Sequence, residues 1–134
     1  MRDRKQFGLI GKNIEYSFSR KYFLEKFNSD INLSGYNYKN FDIESINLIN
    51  RFISDEGLGG LNVTIPYKEE IIPYLDELSD EAREIGAVNT ICFENNIRKG
   101  YNTDIYGFTE SLKVNSINNI DSMIILGTGG ASKT

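Results

Sequence analysis

The sequence predicts an α/β fold, and three observations carry that prediction. Apolar runs of strand length alternate with stretches whose apolar residues recur at helical spacing. Glycine, proline and asparagine punctuate the joins between them. The final apolar run, residues 123–126, leads directly into Gly127-Thr128-Gly129-Gly130-Ala131-Ser132-Lys133-Thr134, a glycine-rich turn of the kind that joins a strand to a helix.

Residues 7–10 form a short apolar run closed by Gly11 and read as a buried strand. A helix is expected over 19–27, with Tyr22, Phe23, Leu24 and Phe27 on its apolar face. Gly35 and the alternation Tyr36-Asn37-Tyr38 open a second strand that ends near Phe41. Ile43, Ile46, Ile49, Phe52 and Ile53 predict a second helix, closed by Gly57. Gly59-Gly60 leads into a third strand over 61–64. Pro66 suits the first turn of a following helix, where its missing N–H costs nothing. Ser79-Asp80-Glu81 opens another short helix, with its acids at the favourable end of the dipole. Residues 88–93 and 97–101 predict a hairpin around Glu94-Asn95-Asn96. A helix over 105–114 is capped by Thr103 or Asp104, a polar linker covers 115–121, and 123–126 reads as one more buried strand. A lone parallel strand cannot cover its own faces. The chain is therefore expected to be the front part of a longer protein, cut at the start of a second domain.

Composition narrows the function. A chain of 134 residues can bury one respectable core. A net charge of −4 with no basic run argues against nucleic acid as the main partner. The charged N-terminus is followed by too short an apolar run for a signal sequence, and no segment reaches the roughly 18 apolar residues of a membrane span. A cytoplasmic location is expected. The single cysteine, Cys92, lies between Ile91 and Phe93 and reads as a buried, unreactive thiol. No metal site is expected.

With no histidine in the chain, acid–base chemistry has to run on Lys, Asp, Glu or Tyr. Two segments concentrate the means: Asn62-Val63-Thr64-Ile65-Pro66-Tyr67-Lys68 and Asn102-Thr103-Asp104. Each brings small hydrogen-bonding side chains and one ionisable group to a strand end, a kit that suits a polyhydroxylated substrate and one proton transfer. Lys68 is expected at a helix start, where the macrodipole disfavours a cation. Such a broken local rule points to function, against the plain reading of a solvated lysine. Asp104 and Ser19 have equally good readings as helix N-caps, and Asn62 and Asn89 as partners of backbone groups. Ser17 and Ser19 share a side if their segment is extended. The loop Gly127-x-Gly129 opens like a dinucleotide-binding turn but carries Ser132 at the third glycine, and it is one substitution from a P-loop.

Taken together, these residues resemble the shikimate dehydrogenase family. Five stretches carry the likeness: residues 8–19 with Ser17-x-Ser19, Asn62 through Lys68, Gly86-Ala87-Val88-Asn89-Thr90, Asn102-Thr103-Asp104, and Gly127-Thr128-Gly129-Gly130-Ala131. The resemblance covers essentially the whole chain and favours the dinucleotide reading of the loop over a P-loop NTPase. It implies a mixed-sheet, three-layer substrate-binding domain over 1–104, a connecting helix and linker over 105–120, and the truncated start of a Rossmann-type domain over 121–134. The implied reaction is the reversible, NADP-dependent reduction of 3-dehydroshikimate to shikimate, on the route to chorismate and the aromatic amino acids.

By the same resemblance, Ser17 and Ser19 hold the substrate carboxylate, and Asn62, Thr64 and Asn89 its ring hydroxyls. Lys68 and Asp104 flank the reacting C3 oxygen, and Gly127, Gly129, Gly130 and Ala131 hold the NADP pyrophosphate. Two positions depart from the family pattern, Tyr16 where histidine is common and Arg20 where proline is common. Arg20 would add a positive charge near the carboxylate. A quinate-accepting relative and a non-catalytic shikimate-binding module are the remaining alternatives, and the serine pair leans toward shikimate.

Overall fold

The computed structural model describes residues 5–53, 57–115, 117 and 121–134. Its elements run β1 (Gln6–Gly11), α1 (Ser19–Ser29), β2 (Asn37–Asp42), β3 (Leu58–Val63), β4 (Glu77–Leu78), α2 (Asp80–Ile85), β5 (Thr90–Glu94), β6 (Ile97–Tyr101) and α3 (Asp104–Val114). The strands form one mixed sheet in the order β2-β1-β3-β5-β6-β4. β1 pairs parallel with β2 and β3, while β3–β5 and β5–β6 are antiparallel.

Period-two alternation along β1 divides the interior into two layers. Phe7 and Leu9 face α1, where Phe23, Leu24 and Phe27 pack with Ile14 and Tyr38. Ile10 points the other way, into the larger core of Ile43, Ile49, Leu61, Val63, Ile71, Val88 and Ile91. The apolar face expected of residues 19–27 is thus the one turned inward, with Phe23, Leu24 and Phe27 half-buried and Tyr22 46% exposed.

The hairpin forms around Asn95 and Asn96, both in the left-handed region (φ 51° and 62°), which makes a two-residue turn of the type that matches strand twist. α2 is capped as expected. Ser79 Oγ accepts the Ala82 N–H (3.2 Å), and Gly86 closes the helix at φ 70°.

Three expected elements are corrected. The helix expected over 43–53 is a 3-10 stretch, Ile46–Arg51. Ile43, Ile46, Ile49 and Phe52 recur every three residues, which is the 3-10 period and not 3.6. Gly57 belongs to the turn entering β3, and residues 54–56 lie outside the described residues. After Pro66 there is no α-helix but a run of turns over 65–71 and a 3-10 turn, Ile72–Tyr74. Pro73 removes an N–H and disfavours the α conformation at Ile72, so too few residues remain between the two prolines for a helix. Residues 123–126 are not a buried strand. They are irregular and exposed, since no neighbouring strand pairs with them among the described residues. The linker expected over 115–121 falls largely outside the described residues. Among those described, no helix is long and apolar enough to cross a membrane.

Candidate active site

The strand pairing gathers the candidate residues at one end of the sheet. Ile10 of β1 pairs with Val63 of β3, Asn62 with Thr90 of β5, and Thr90 with Tyr101 of β6. The residues that follow β1, β3 and β6, and those that precede β5, therefore share an edge. These are the loop to Ser17 and Ser19, the segment from Thr64 to Lys68, the turn to Asp104, and Asn89.

Lys68 and Asp104 meet there, Nζ to Oδ2 at 2.6 Å. The lysine side chain is 15% exposed and the carboxylate 38%, so the pair is shielded on the lysine side and partly open to solvent on the other. Lys68 has no helix, and hence no macrodipole, beneath it. Its place is set instead by Tyr67, buried and donating from its hydroxyl to Ile43 O (2.6 Å), and by its own carbonyl, which accepts the Val88 N–H (2.7 Å).

Neither Thr103 nor Asp104 caps α3 with its side chain. Asn102 does that work. It is buried, donates Nδ2 to Ala87 O (3.1 Å), and accepts the Asp104 N–H (3.0 Å) on Oδ1. With the cap supplied two residues upstream, the Asp104 carboxylate is left to bind Lys68 and Asn89.

Asn89 is a junction. Its Nδ2 donates to Asp104 Oδ1 (2.8 Å) and Thr103 Oγ1 (2.9 Å), while its Oδ1 accepts the Thr103 N–H (3.0 Å) and the Thr90 hydroxyl (3.1 Å). Both amide hydrogens are used, so Asn89 here orients the Asp104 carboxylate and would contact a ligand only by exchanging one of these bonds. Asn62 donates to Thr90 Oγ1 (3.3 Å) and accepts from the Tyr38 hydroxyl (2.9 Å). Burial raises the Tyr38 phenol far above the ordinary tyrosine range, which keeps it a donor. From the sequence, neither Tyr38 nor Thr90 has an assigned role: Tyr38 sits inside a strand pattern, and Thr90 enters only as the last residue of the Gly86-Ala87-Val88-Asn89-Thr90 stretch.

Ser17 and Ser19 share the sheet end but not the network. Their segment is not extended: Ser17 N–H bonds Ile14 O (2.9 Å), Phe18 is helical, and Ser17 Oγ accepts the Ser19 N–H (3.3 Å). Ser19 is thus the first residue of α1 and not its cap. Asp42, at the end of β2, holds this loop through the N–H groups of Asn13 and Ile14 (both 3.0 Å), and Asn40 Nδ2 donates to Ile14 O (3.2 Å). Thr64 is partly buried beside the loop, its N–H on Ile10 O (2.9 Å), and Arg20 is exposed in the first turn of α1. Cys92 is half-buried, not buried. Desolvation, with Glu94 beside it, pushes its thiol up, away from the reactive thiolate.

The glycine loop lies against the lysine segment. A Cβ on Gly130 would come within 2.9 Å of Lys68 Cβ and 3.1 Å of Ala87 Cβ, so only glycine allows this approach. Gly127 (φ 118°) takes the left-handed turn, and nothing lies within 4 Å of where its side chain or that of Gly129 would be. Ser132 N–H and Oγ close the turn on Gly129 O. A cleft of about 540 Å³ separates this loop from Ile65, Lys68 and Glu69. Open backbone at Gly127 and Gly129 beside this cleft leaves the main chain accessible to a ligand, with turns and not a helix over 130–133. A second cleft, about 460 Å³ and mostly apolar, lies on the α1 face between Phe27, Gly60 and Cys92, with Asn62 and Thr90 at its end.

Comparison with known proteins bears on these residues. Residues 9–91 match the family model described as the shikimate dehydrogenase substrate binding domain. The chain is 45% identical over 130 residues to the NADP(+) shikimate dehydrogenase of Clostridium beijerinckii, covering 95% of this chain and 47% of that protein. It is 43% identical over 132 residues to that of Caldanaerobacter subterraneus, covering 96% and 46%. Among solved structures, shikimate dehydrogenase 1 of Peptoclostridium difficile superposes with a TM-score of 0.84 at 42% identity, covering 96% of this chain and 48% of that one. Shikimate 5-dehydrogenase of Thermus thermophilus, crystallised with NADP(H) and shikimate, gives 0.83 at 30%, covering 96% and 49%. The chain spans about half the length of the curated relatives it matches.

Proposed function

The chain belongs to the shikimate dehydrogenase family through its substrate-binding domain, and we propose that it is the substrate half of an NADP-dependent oxidoreductase interconverting 3-dehydroshikimate and shikimate. The observation that carries the reading is the 2.6 Å Lys68–Asp104 pair, shielded on one side and set at the sheet end among amides and hydroxyls.

A carbonyl under reduction develops alkoxide character at its oxygen. The Lys68 ammonium stabilises that charge and delivers the proton to the C3 oxygen, and in the reverse direction the amine takes it back. Asp104 holds the ammonium in place and accepts from a neighbouring ring hydroxyl. Asn62 and Thr64 grip the ring hydroxyls, Asn89 keeps the Asp104 carboxylate turned toward Lys68, and Ser17 and Ser19 bind the substrate carboxylate. NADP, when bound, supplies the hydride or takes it up. Gly127, Gly129, Gly130 and Ala131 would hold its pyrophosphate, as the opening of a Rossmann-type domain that begins in residues 121–134. Residues 1–104 form the substrate domain and 105–120 the connection. The setting is the cytoplasm, on the route to chorismate, and the serine pair favours shikimate over quinate.

The test is NADP-dependent oxidation of shikimate by the full-length gene product. Lys68→Ala should lower kcat by about 10²–10⁴-fold, the usual worth of a positioned proton donor. A wild-type protein that leaves shikimate untouched, or a Lys68→Ala variant that keeps its kcat, would contradict the reading.

A further inference from the structure

The hydrogen bonds that support Asp104 start on β2, four strands from β6, which Asp104 follows. Tyr38 lies on β2, is 2% exposed, and has its ring stacked on Phe23 (centroids 4.6 Å apart, 12° between planes). Its hydroxyl reaches across β1 to donate to Asn62 Oδ1 (2.9 Å). From there every donor points the same way. Asn62 Nδ2 donates to Thr90 Oγ1 (3.3 Å), Thr90 Oγ1 to Asn89 Oδ1 (3.1 Å), and Asn89 Nδ2 to Asp104 Oδ1 (2.8 Å). The series ends on the carboxylate that holds Lys68.

We infer that Tyr38 is a positioning residue of this site: its phenol fixes which end of the Asn62 amide faces Thr90 and, through Thr90, how firmly the Asn89 amide is held against Asp104. The inference rests on the proposed function for its catalytic meaning. An amide can sit in its pocket with oxygen and nitrogen exchanged, and only its partners decide between the two. Without the phenol proton, Asn62 Oδ1 gains by turning toward Thr90. The Thr90 proton then has two acceptors, and Asn89 Oδ1 loses part of one donor while keeping the Thr103 N–H, so its hold on Asp104 loosens. The ring itself is not required, since phenylalanine keeps the stack on Phe23.

Two measurements on Tyr38→Phe test this. In the chain as it stands, NMR of the side-chain amides should show the Asn62 and Asn89 NH₂ signals both displaced, although Asn89 does not touch Tyr38, while Asn115 stays put. A displacement confined to Asn62, or none, would overturn the inference. In the full-length gene product, KM for shikimate should rise about five- to tenfold, the worth of one hydrogen bond, with kcat within about threefold. A loss of folded protein would instead lower kcat and leave KM alone. Thr90→Val interrupts the series one bond later and should reproduce the KM rise. If KM is unchanged in both variants while Lys68→Ala abolishes turnover, the positioning role is wrong and the proposed function stands. If the wild-type protein does not turn over shikimate, both fall.

Discussion

Lys68 and Asp104 are brought together by residues that never touch each other in sequence. Pro66 and Pro73 keep the lysine segment out of a helix, the Tyr67 hydroxyl pins it to Ile43 O, and Asn102 takes over the helix cap so that Asp104 need not serve as one. Asn89 then bonds the freed carboxylate. Asn89→Ala removes four hydrogen-bond partners from the junction and leaves the Thr103 N–H without its acceptor. It should destabilise the chain by at least about 1–3 kcal/mol in urea unfolding. Turnover should fall as well, because Asp104 loses one of its two holds on position. A variant as stable as the wild type would show that water replaces the amide without loss. Of the residues read from the sequence as chemistry-bearing, Asn62, Lys68, Asn89 and Asp104 share one hydrogen-bond network, but what each would bond was only half legible. Asn89 looked like a ligand for a hydroxyl and is bonded on every side by protein. Asp104 looked equally like a cap. Which of two such roles a short polar side chain takes depends on groups many positions away, here Ala87 O for Asn102 and Thr103 for Asn89, and no local pattern records them.

At the scale of elements, β1, the β5–β6 hairpin and α2 were legible because their signals are local, an apolar run closed by Gly11, an Asn-Asn turn, Ser79 ahead of two acids and Gly86 behind, whereas the two-residue β4 carried no signal. The segment over 43–53 misled because burial every three residues reads as helix until the turn it makes is known. The loop after β1 depends on a long-range bond, Asp42 to the Asn13 and Ile14 N–H groups. Asp42→Ala should therefore raise KM for shikimate by about tenfold or less by loosening the loop of Ser17 and Ser19, with kcat nearly kept. An unchanged KM would show that the loop holds its shape without the carboxylate. The β4–β6 edge offers a pH test. Arg98 donates to Asp76 from Nη2 (2.6 Å), Nε (2.8 Å) and its backbone N–H (2.8 Å), and these bonds lower the Asp76 carboxyl from 3.8 to about 2. A depressed carboxylate stabilises the fold above its unfolded-state pKa and loses that contribution as pH falls through the folded value. Wild type should thus lose stability between about pH 4 and pH 2 that Asp76→Asn has already lost, and the two acid-unfolding curves should converge toward pH 2. Parallel curves over that range would rule the pair out as a source of acid sensitivity.

For the whole molecule, the mixed sheet matters because it turns four separate chain segments into one edge. The antiparallel return of β5 and β6 sets the start of β5 and the end of β6 beside the ends of β1 and β3, and so Asn89 and Asp104 beside Thr64 and Lys68. The resemblance carried by the sequence motifs agrees with the family match over residues 9–91. Because the chain spans about half the length of the curated relatives it matches, the prediction is that the 134 residues by themselves show no NADP-dependent oxidation of shikimate. The most direct measurement is a shikimate titration of this chain followed by amide NMR, with Lys68→Ala and Ser17→Ala alongside. Saturable shifts clustered at Ser17, Asn62, Lys68, Asn89 and Asp104, and weakened in both variants, are the predicted result. No shifts at millimolar shikimate, or shifts gathered around Phe27 and Cys92 in the apolar cleft, would contradict the placement of the substrate site.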